Sequence, residues 1–105
     1  MSYVILRTDS ADLHIRNIFL RVAENFGNTV ALEKLNEFEK SVSLLSDNPY
    51  LGELPRYPAI RRRGYRVLIL EKNLVFYTVN DEKKEITVCA VVDQRQDYLK
   101  ILNGL

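Results

Sequence analysis

Cysteine, histidine and tryptophan are scarce in this chain of 105 residues, which contains one Cys, one His and no Trp. A lone cysteine, Cys89, cannot form an internal disulfide, and a single histidine, His14, excludes Cys₄, Cys₂His₂ and two-histidine metal sites. A Ser-His-Asp triad would have to use His14. No phosphate-binding glycine loop, paired-carboxylate motif or metal-ligand spacing occurs. The sequence therefore implies no cofactor and no metal.

Long apolar runs are also missing. No segment approaches the roughly 20 apolar residues that span a bilayer, so we expect no membrane contact. The first residues lack the basic segment and apolar run of a secretory signal, so we expect a cytoplasmic protein. Hydrophobic residues make up 47% of the chain and charged residues 28%, which is typical of globular proteins. We predict one domain over residues 1–105.

The charge is distributed unevenly along the chain. Residues 1–55 contain five Lys/Arg and eight Asp/Glu, whereas residues 56–105 contain ten Lys/Arg and six Asp/Glu. Five arginines and no acid occur between Arg56 and Arg66. A local basic patch on a protein of net charge +1 indicates an anionic partner at one face.

The first half of the chain predicts a strand and two helices. Residues 3–8 are rich in β-branched and aromatic side chains, and Thr8, Asp9 and Ser10 offer capping oxygens for a helix that Gly27 ends. A second helix follows, because apolar residues recur there at steps of four, three, four and three. A connection of about four residues makes the pair an antiparallel hairpin. The stepping residues are Ala31, Leu35, Phe38, Val42 and Leu45.

The second half predicts a sheet. A loop rich in proline and glycine covers residues 48–58, and 59–63 is read as a possible short strand. Clear strands follow at 65–70, 73–79 and 85–92, and short connections make them antiparallel. We predict an α+β fold: an N-terminal strand, a two-helix hairpin on one face of a four- to five-stranded, mostly antiparallel sheet, and a short C-terminal helical turn at 96–102. The other face of the sheet is expected to be partly exposed.

The arginine cluster is the main candidate site. If residues 59–63 form a strand, Arg61 and Arg63 share one face, Arg62 takes the other, and Arg66 returns to the same neighbourhood. Converging guanidinium groups would bind a phosphodiester or an acidic peptide. The alternative is a charged edge strand that only blocks aggregation.

A second candidate site lies near the C-terminus. If the last strand pairs beside residues 65–70, Arg95 lies near Arg66, where it would stabilise negative charge while Tyr98 exchanges a proton or stacks on a base. The alternative is that Asp97 caps the last helical turn and pairs with an arginine. His14 and Cys89 are interpreted as structural residues.

The chain resembles the RelE/ParE family of toxins from bacterial type II toxin–antitoxin systems over nearly its whole length. The resemblance depends on several segments in order, none of them diagnostic alone. They are Arg7-Thr8 followed by Ala11-Asp12-Leu13, Leu44-Leu45 with Pro49-Tyr50-Leu51-Gly52, Ile60-Arg61 leading to Gly64-Tyr65-Arg66-Val67, residues 74–79, and Arg95-Gln96-Asp97-Tyr98.

This resemblance implies a toxin that arrests growth and is held inactive by a cognate antitoxin. RelE-like members cleave mRNA on the ribosome without a metal, by attack of a ribose 2′-OH on the adjacent phosphate, whereas ParE-like members inhibit DNA gyrase. Arg66 and Arg95 match positions that contact phosphate in the nucleases, and Tyr98 lies in the region of their catalytic tyrosine. The long helix pair and the loop at Pro49–Gly52 favour the ParE branch.

The resemblance leaves three functions open. Gyrase inhibition is favoured over ribosome-dependent mRNA cleavage, and an inactive relative that only binds antitoxin is the third. The residues expected to bind the target or its phosphate are Arg61, Arg62, Arg63, Arg66 and Arg95. The antitoxin is expected to be a small protein whose flexible, acidic and apolar segment covers the arginine face or the grooves of the helices.

Overall fold

A computed structural model describes residues 2–95 and 98–104, and within them it contains four strands, four α-helices and one 3₁₀ turn. The sheet has the strand order β1-β4-β3-β2. The elements are β1 (Val4–Arg7), α1 (Asp9–Phe26), α2 (Asn28–Ser43), the 3₁₀ turn (Leu44–Ser46), α3 (Pro58–Arg62), β2 (Arg66–Ile69), β3 (Asn73–Asn80), β4 (Glu85–Asp93) and α4 (Tyr98–Asn103). The predicted α+β class and the C-terminal helical turn are confirmed.

The helical hairpin forms as predicted, with a tighter connection. Thr8 caps α1, since its side chain accepts a hydrogen bond from the Ala11 N–H at 3.1 Å. The expected connection of about four residues is wrong, because Gly27 alone separates α1 from α2. Gly27 has a φ of +91°, a conformation that only glycine adopts without strain, and this permits so short a turn.

The sheet is mixed and mostly antiparallel. β2 pairs with β3 and β3 with β4 in antiparallel fashion, whereas β1 lies parallel to β4, with Val4 opposite Glu85. β1 reaches the far edge by way of the helical hairpin, which supplies the long connection that a parallel pair needs. β4 is therefore central, and β1 and β2 are the edges.

The fifth strand allowed by the prediction is absent, because residues 58–62 form the helix α3. Pro58 occupies the first turn of α3, where its missing N–H costs nothing. Ile60 is buried, whereas Arg61 and Arg62 are exposed at the C-terminal end of the helix. The strand interpretation of 59–63 is wrong, and so is the two-face alternation of Arg61, Arg62 and Arg63 that it implied.

Both faces of the sheet are covered, which corrects the expectation of a partly exposed second face. One core joins α1 and α2 to the first face, with Phe38, Tyr77 and Val88 among its buried residues. A second core joins α3 and α4 to the opposite face through Ile60 and Leu102, which pack with other apolar side chains of the sheet. Because both faces are buried, adjacent strand residues can both be core. Phe76 and Tyr77 are 1% and 0% exposed.

A β-bulge in β4 sets which residues face each core. Tyr77 pairs with Val88 and Phe76 with Ala90, so Cys89 is the extra residue. The N-cap residue of α1 and one residue within the helix bind the irregular backbone that results. The Thr8 hydroxyl donates to the Cys89 carbonyl at 3.2 Å, and the Val91 N–H donates to Nδ1 of His14 at 3.2 Å. His14 is thus a structural acceptor, in its neutral form.

Stability should depend on pH through His14. Burial lowers the pKa of His14 from its usual value of 6.5. Protonation therefore favours the unfolded chain, so the free energy of unfolding should be constant above about pH 7 and fall as pH drops below 6.5. His14→Gln keeps an acceptor for Val91 but does not titrate. Denaturant titrations at pH 5 to 8 should give a flatter profile for this variant; parallel profiles would contradict the assigned role.

Candidate interaction surfaces

The arginines expected to form one cluster lie in different environments. Arg61 and Arg62 are exposed on α3 and have no acidic partner among the residues that the structure describes. Arg56, which precedes α3, is also exposed and has no acidic partner among the described residues. We name these three residues the α3 basic surface. Helix α3 orients it outward, because Ile60 anchors the opposite side of the helix in the second core.

Arg63 lies just beyond α3, on the side of the second core. Its guanidinium carbon is 5.4 Å from the centre of the Tyr65 ring, and its Nη1 donates to the Leu102 carbonyl at 3.2 Å. The first contact is a cation–π interaction and the second caps a carbonyl of the last turn of α4. Arg63 therefore links α3, the start of β2 and α4.

Arg66 has a structural environment on the opposite face. It pairs with Tyr77 across β2 and β3, so it lies on the face of the helical hairpin. Its Nη2 donates to the Gly52 carbonyl at 2.6 Å and to the Tyr50 carbonyl at 3.3 Å, and its guanidinium lies 5.1 Å from the centre of the Tyr50 ring. Its Nε is buried without a hydrogen-bond partner. Arg66 is thus held against the loop before α3 by Nη2 and by the contact with the Tyr50 ring.

The buried Tyr77 hydroxyl also binds this loop. It donates to the Pro49 carbonyl and accepts from the Gly52 N–H, both at 2.9 Å. Gly52 has no room for a side chain, since a Cβ atom there would lie 2.6 Å from the Tyr77 hydroxyl and 2.7 Å from the Val67 carbonyl. Glu53 then exchanges two backbone hydrogen bonds with Val67 at the edge of β2. The loop is fixed by contacts between residues distant in sequence, which local patterns do not predict.

A carboxylate in the β3–β4 turn ties the loop to the N-terminus. Asp81 accepts hydrogen bonds from the hydroxyls of Tyr3 and Tyr50, the first at 2.6 Å. These bonds lower the pKa of Asp81 and raise the pKa of each phenol, so the ionised carboxylate and the neutral phenols are the favoured forms. All three side chains lie near solvent, so this arrangement orients the loop more than it stabilises the fold.

The fixed loop presents apolar side chains to solvent. Leu51 and Leu54 are half exposed or more, and so is Ile69 on β2. We name Tyr50, Leu51, Leu54 and Ile69 the loop apolar surface. Exposed apolar residues gathered on a rigid segment are typical of protein-binding surfaces. In the sequence, the only indication of this surface is the presence of two leucines in a segment rich in proline and glycine.

Arg95 is remote from Arg66, which corrects the predicted proximity. β4 pairs with β3 and β1 and not with β2. Arg66 lies opposite Tyr77 and hence near Val88, whereas Arg95 follows Asp93, which pairs with Asn73, four residues and about 13 Å farther along β3. The Arg95 side chain is 90% exposed and pairs with Asp93 at 3.1 Å. That pairing raises the pKa of Arg95 and lowers the pKa of Asp93.

Tyr98 begins α4, but its side chain lies outside the described part of the structure, as do Gln96 and Asp97. Its predicted catalytic role and the alternative cap by Asp97 therefore remain predictions. The prediction that Arg61, Arg63, Arg66 and Arg95 converge on one sheet face is wrong. Arg61 lies on a helix, Arg63 and Arg66 lie on two different faces, and Arg95 lies beyond the end of β4.

The helical hairpin carries a separate apolar groove. It lies between α1 and α2 and has a volume of about 350 Å³. Leu20 and Leu32, which are 50% and 61% exposed, lie on its two sides, with Phe19 and Leu35 between them. We name these four residues the hairpin groove. Its shape and composition suit an apolar helix face or an extended apolar segment.

Two classes of site find no support within residues 2–95 and 98–104. No three His, Cys, Asp or Glu residues of this part of the chain lie together as metal ligands would. None of its helices is long and apolar enough to cross a membrane.

Comparison with known proteins identifies a family. The family described as the ParE toxin of the type II toxin–antitoxin system, parDE, matches residues 5–98. A search of curated proteins finds no match.

Solved structures agree on the fold. A protein of the chromosomal ParDE toxin–antitoxin system from P. aeruginosa has 21% identity and a TM-score of 0.72, covering 88% of this chain and 96% of its own. A chain of the RelBE2 toxin–antitoxin complex from Mycobacterium tuberculosis has 17% identity and a TM-score of 0.63, covering 90% and 100%. A mutant E. coli RelE toxin in the free state has 18% identity and a TM-score of 0.62, covering 100% and 99%.

The loop clamp can be tested by Tyr77→Phe. This change keeps the ring packing but leaves the buried Gly52 N–H and Pro49 carbonyl without their partner, so it should cost about 2 kcal/mol of unfolding free energy. Tyr50→Phe is the matched control, because it removes a hydroxyl bound to exposed Asp81 and should have a smaller effect. Guanidinium chloride titrations measure both. Equal losses for the two variants would show that the buried clamp is not the stronger restraint.

Proposed function

Since the chain belongs to the ParE toxin family and is thus a toxin of a type II toxin–antitoxin system, we propose that it arrests growth by binding and inhibiting DNA gyrase. The observation that carries the choice of gyrase, besides the family, is the separation of Arg66 from Arg95. Metal-free cleavage of RNA needs cations and proton-transfer groups around one phosphate. Arg66 instead binds the loop carbonyls through Nη2, and Arg95 pairs with Asp93 near the opposite end of the sheet.

The target-binding surface in this proposal combines charge and apolar area. Arg61 and Arg62 supply unpaired guanidinium groups, and Arg63 continues the charge toward α4. Leu51 and Leu54 supply apolar area on a loop that is already held in place. Preorganised apolar residues beside unpaired arginines are well suited to a protein target with an acidic patch, because little order is lost on binding. Arg66 contributes to this surface indirectly, because it binds the loop, whereas Arg95 lies outside the surface.

Ribosome-dependent cleavage of mRNA is the second candidate function. It is favoured by the exposure of Arg61, Arg62 and Arg95, which leaves three cations available to a polyanion. In that case Arg66, Arg95 and Tyr98 are the residues proposed to act on the scissile phosphate. The third possibility, an inactive relative that only binds antitoxin, requires neither a gyrase surface nor a catalytic site.

A cognate antitoxin is the proposed partner, and the hairpin groove is its proposed binding site. Toxin–antitoxin complexes are among the structures with this fold. The groove exposes Leu20 and Leu32 along two adjacent helices, which would leave a large apolar area in water without a partner. An apolar segment of the antitoxin that occupied the groove would cover it and leave the α3 basic surface to an acidic portion of the same protein.

Purified gyrase provides the direct test of the first function. The chain should block supercoiling of relaxed plasmid DNA, and the double variant Arg61→Ala, Arg62→Ala should need about tenfold more protein for half-inhibition, because it loses unpaired cations on the proposed surface. Arg95→Ala is the matched control, since Arg95 is paired with Asp93 and lies outside the surface. It should inhibit as the wild type does.

Two outcomes would contradict this assignment. Unimpaired supercoiling together with cleavage of mRNA on translating ribosomes would favour the nuclease. Absence of both activities, and of growth arrest when the chain is expressed alone, would favour the inactive relative.

Antitoxin binding is tested by co-purification with the neighbouring gene product. Leu20→Lys or Leu32→Lys places a charge in the hairpin groove and should weaken the complex at least tenfold, because burying a leucine contributes about 1.5–3 kcal/mol. Leu13→Lys is the control, since Leu13 is 54% exposed on α1 but does not line the groove. Equal binding by the groove and control variants would show that the antitoxin binds elsewhere.

A further inference from the structure

The loop apolar surface contains one aromatic side chain, Tyr50, which is 51% exposed. Tyr77 and Arg66 hold the backbone of this loop through the carbonyls and the N–H group that they bind. They donate no hydrogen bond to the Tyr50 hydroxyl. That hydroxyl is directed by Asp81, which lies in the turn between β3 and β4.

Asp81 joins two phenols through its two carboxylate oxygens. Its Oδ2 accepts a hydrogen bond from the Tyr50 hydroxyl, and its Oδ1 accepts one from the Tyr3 hydroxyl at 2.6 Å. Because each oxygen has its own donor, both bonds form at the same time. Hydrogen bonds to an ionised acceptor are short and restrict the geometry of the groups that they join. The orientation of the Tyr50 ring is thus linked to the position of Tyr3.

Tyr3 and the turn that carries Asp81 are both held by the rest of the fold. The Tyr3 ring packs against the first core. The Tyr3 N–H donates to the Ser46 carbonyl at 2.8 Å, and the Ser46 hydroxyl donates to the Tyr3 carbonyl at 2.7 Å. The Val4 N–H donates to the Lys84 carbonyl at 2.9 Å, which binds the turn to the start of β1. Tyr3 and Asp81 are therefore the anchored partners, and the exposed Tyr50 is the one that they orient.

Each of the two rings also lies close to a cation. The Lys84 Nζ lies 5.1 Å from the centre of the Tyr3 ring, and the Arg66 guanidinium carbon lies 5.1 Å from the centre of the Tyr50 ring. The hydrogen bond to Asp81 is the main cause of the raised pKa of Tyr50; burial and the charges of Asp81 and Tyr3 also raise this pKa, and the charge of Arg66 lowers it. The titration of Tyr50 therefore reports whether its contact with Asp81 forms in solution.

We propose that Asp81 and Tyr3 are positioning residues for target binding, because they hold the Tyr50 ring in the orientation in which it contacts the target. This inference rests on the gyrase function proposed above. An exposed tyrosine that is already ordered loses less conformational entropy when a partner covers it. Exposed polar contacts contribute little to the stability of a fold. Loss of Asp81 should therefore weaken target binding much more than it lowers the free energy of unfolding.

The variant Asp81→Ala tests this role, since it removes both acceptors. In the free full-length chain, NMR relaxation of the ring carbons should show a more mobile Tyr50, and the pKa of Tyr50 should fall toward its usual value of 10.0. With purified gyrase, about three- to tenfold more protein should be needed for half-inhibition of supercoiling. Denaturant titrations should give nearly the wild-type stability.

Glu82→Ala is the matched control. Glu82 is the next residue of the same turn and is also exposed, so its replacement removes the same charge, whereas the two phenols bind Asp81. This control should match the wild type in the mobility of the Tyr50 ring, in the pKa of Tyr50 and in the inhibition of gyrase.

Tyr3→Phe shows whether the effect is indirect. This change keeps the packed ring and removes only the hydroxyl that anchors Asp81. Alone, it should make Tyr50 more mobile and weaken inhibition about two- to threefold. In the Asp81→Ala background it should have no further effect, because Tyr3 acts on Tyr50 only through Asp81.

Three results would overturn the proposal: unchanged mobility of the Tyr50 ring in Asp81→Ala, an equal loss of inhibition in Glu82→Ala, or additive effects of Tyr3→Phe and Asp81→Ala. A wild-type chain that leaves gyrase fully active would instead contradict the proposed function. The mobility and the pKa of Tyr50 in the free chain would then decide alone whether Asp81 and Tyr3 position this ring.

Discussion

Burial of both faces of the central strands β3 and β4 is the constraint on which the rest of the structure depends. The helical hairpin covers one face around Tyr77 and Val88, and the short helices α3 and α4 cover the other around Phe76 and Leu102. A β-bulge at Cys89 shifts the alternation of side chains in β4, so that Val88 and Val91 face the helical hairpin and Ala90 and Val92 face the second core. Because both faces of the sheet are buried, the charged residues lie on helices, in loops and at strand ends.

That constraint explains why the arginines are separated. Ile60 anchors α3 in the second core, so Arg61 and Arg62 project to solvent. Arg66 begins β2 on the opposite face, where its guanidinium group donates hydrogen bonds to the carbonyls of Tyr50 and Gly52. Arg95 follows the end of β4 and binds the carboxylate beside it. These four arginines therefore lie in three different environments: exposed on a helix, bound to loop carbonyls, and in a local ion pair.

Much of the fold could be predicted from local patterns. The steps from Ala31 to Leu45 identified α2, and the β-branched run at 85–92 identified β4, because each pattern is determined within a few residues. The helix at Pro58–Arg62 was missed because five residues show no clear period, although the proline at its first position was a usable signal. The clamp of Tyr77 on Gly52 could not be predicted, since it joins residues 25 positions apart whose meeting depends on the strand order. The predicted proximity of Arg66 and Arg95 was wrong for the same reason, because their placement depends on the position of β3 between β2 and β4.

The central functional claim is that the target meets the outward side of α3 and the fixed loop before it, and not the end of β4. Hydrogen–deuterium exchange of the full-length chain, alone and bound to gyrase, tests this most directly, because backbone amides report contact along the whole sequence. Bound gyrase should slow exchange between Leu51 and Arg63 and leave the exchange of the Gln94 and Arg95 amides unchanged. Slowed exchange at Gln94 and Arg95 without slowed exchange at α3 would contradict this claim.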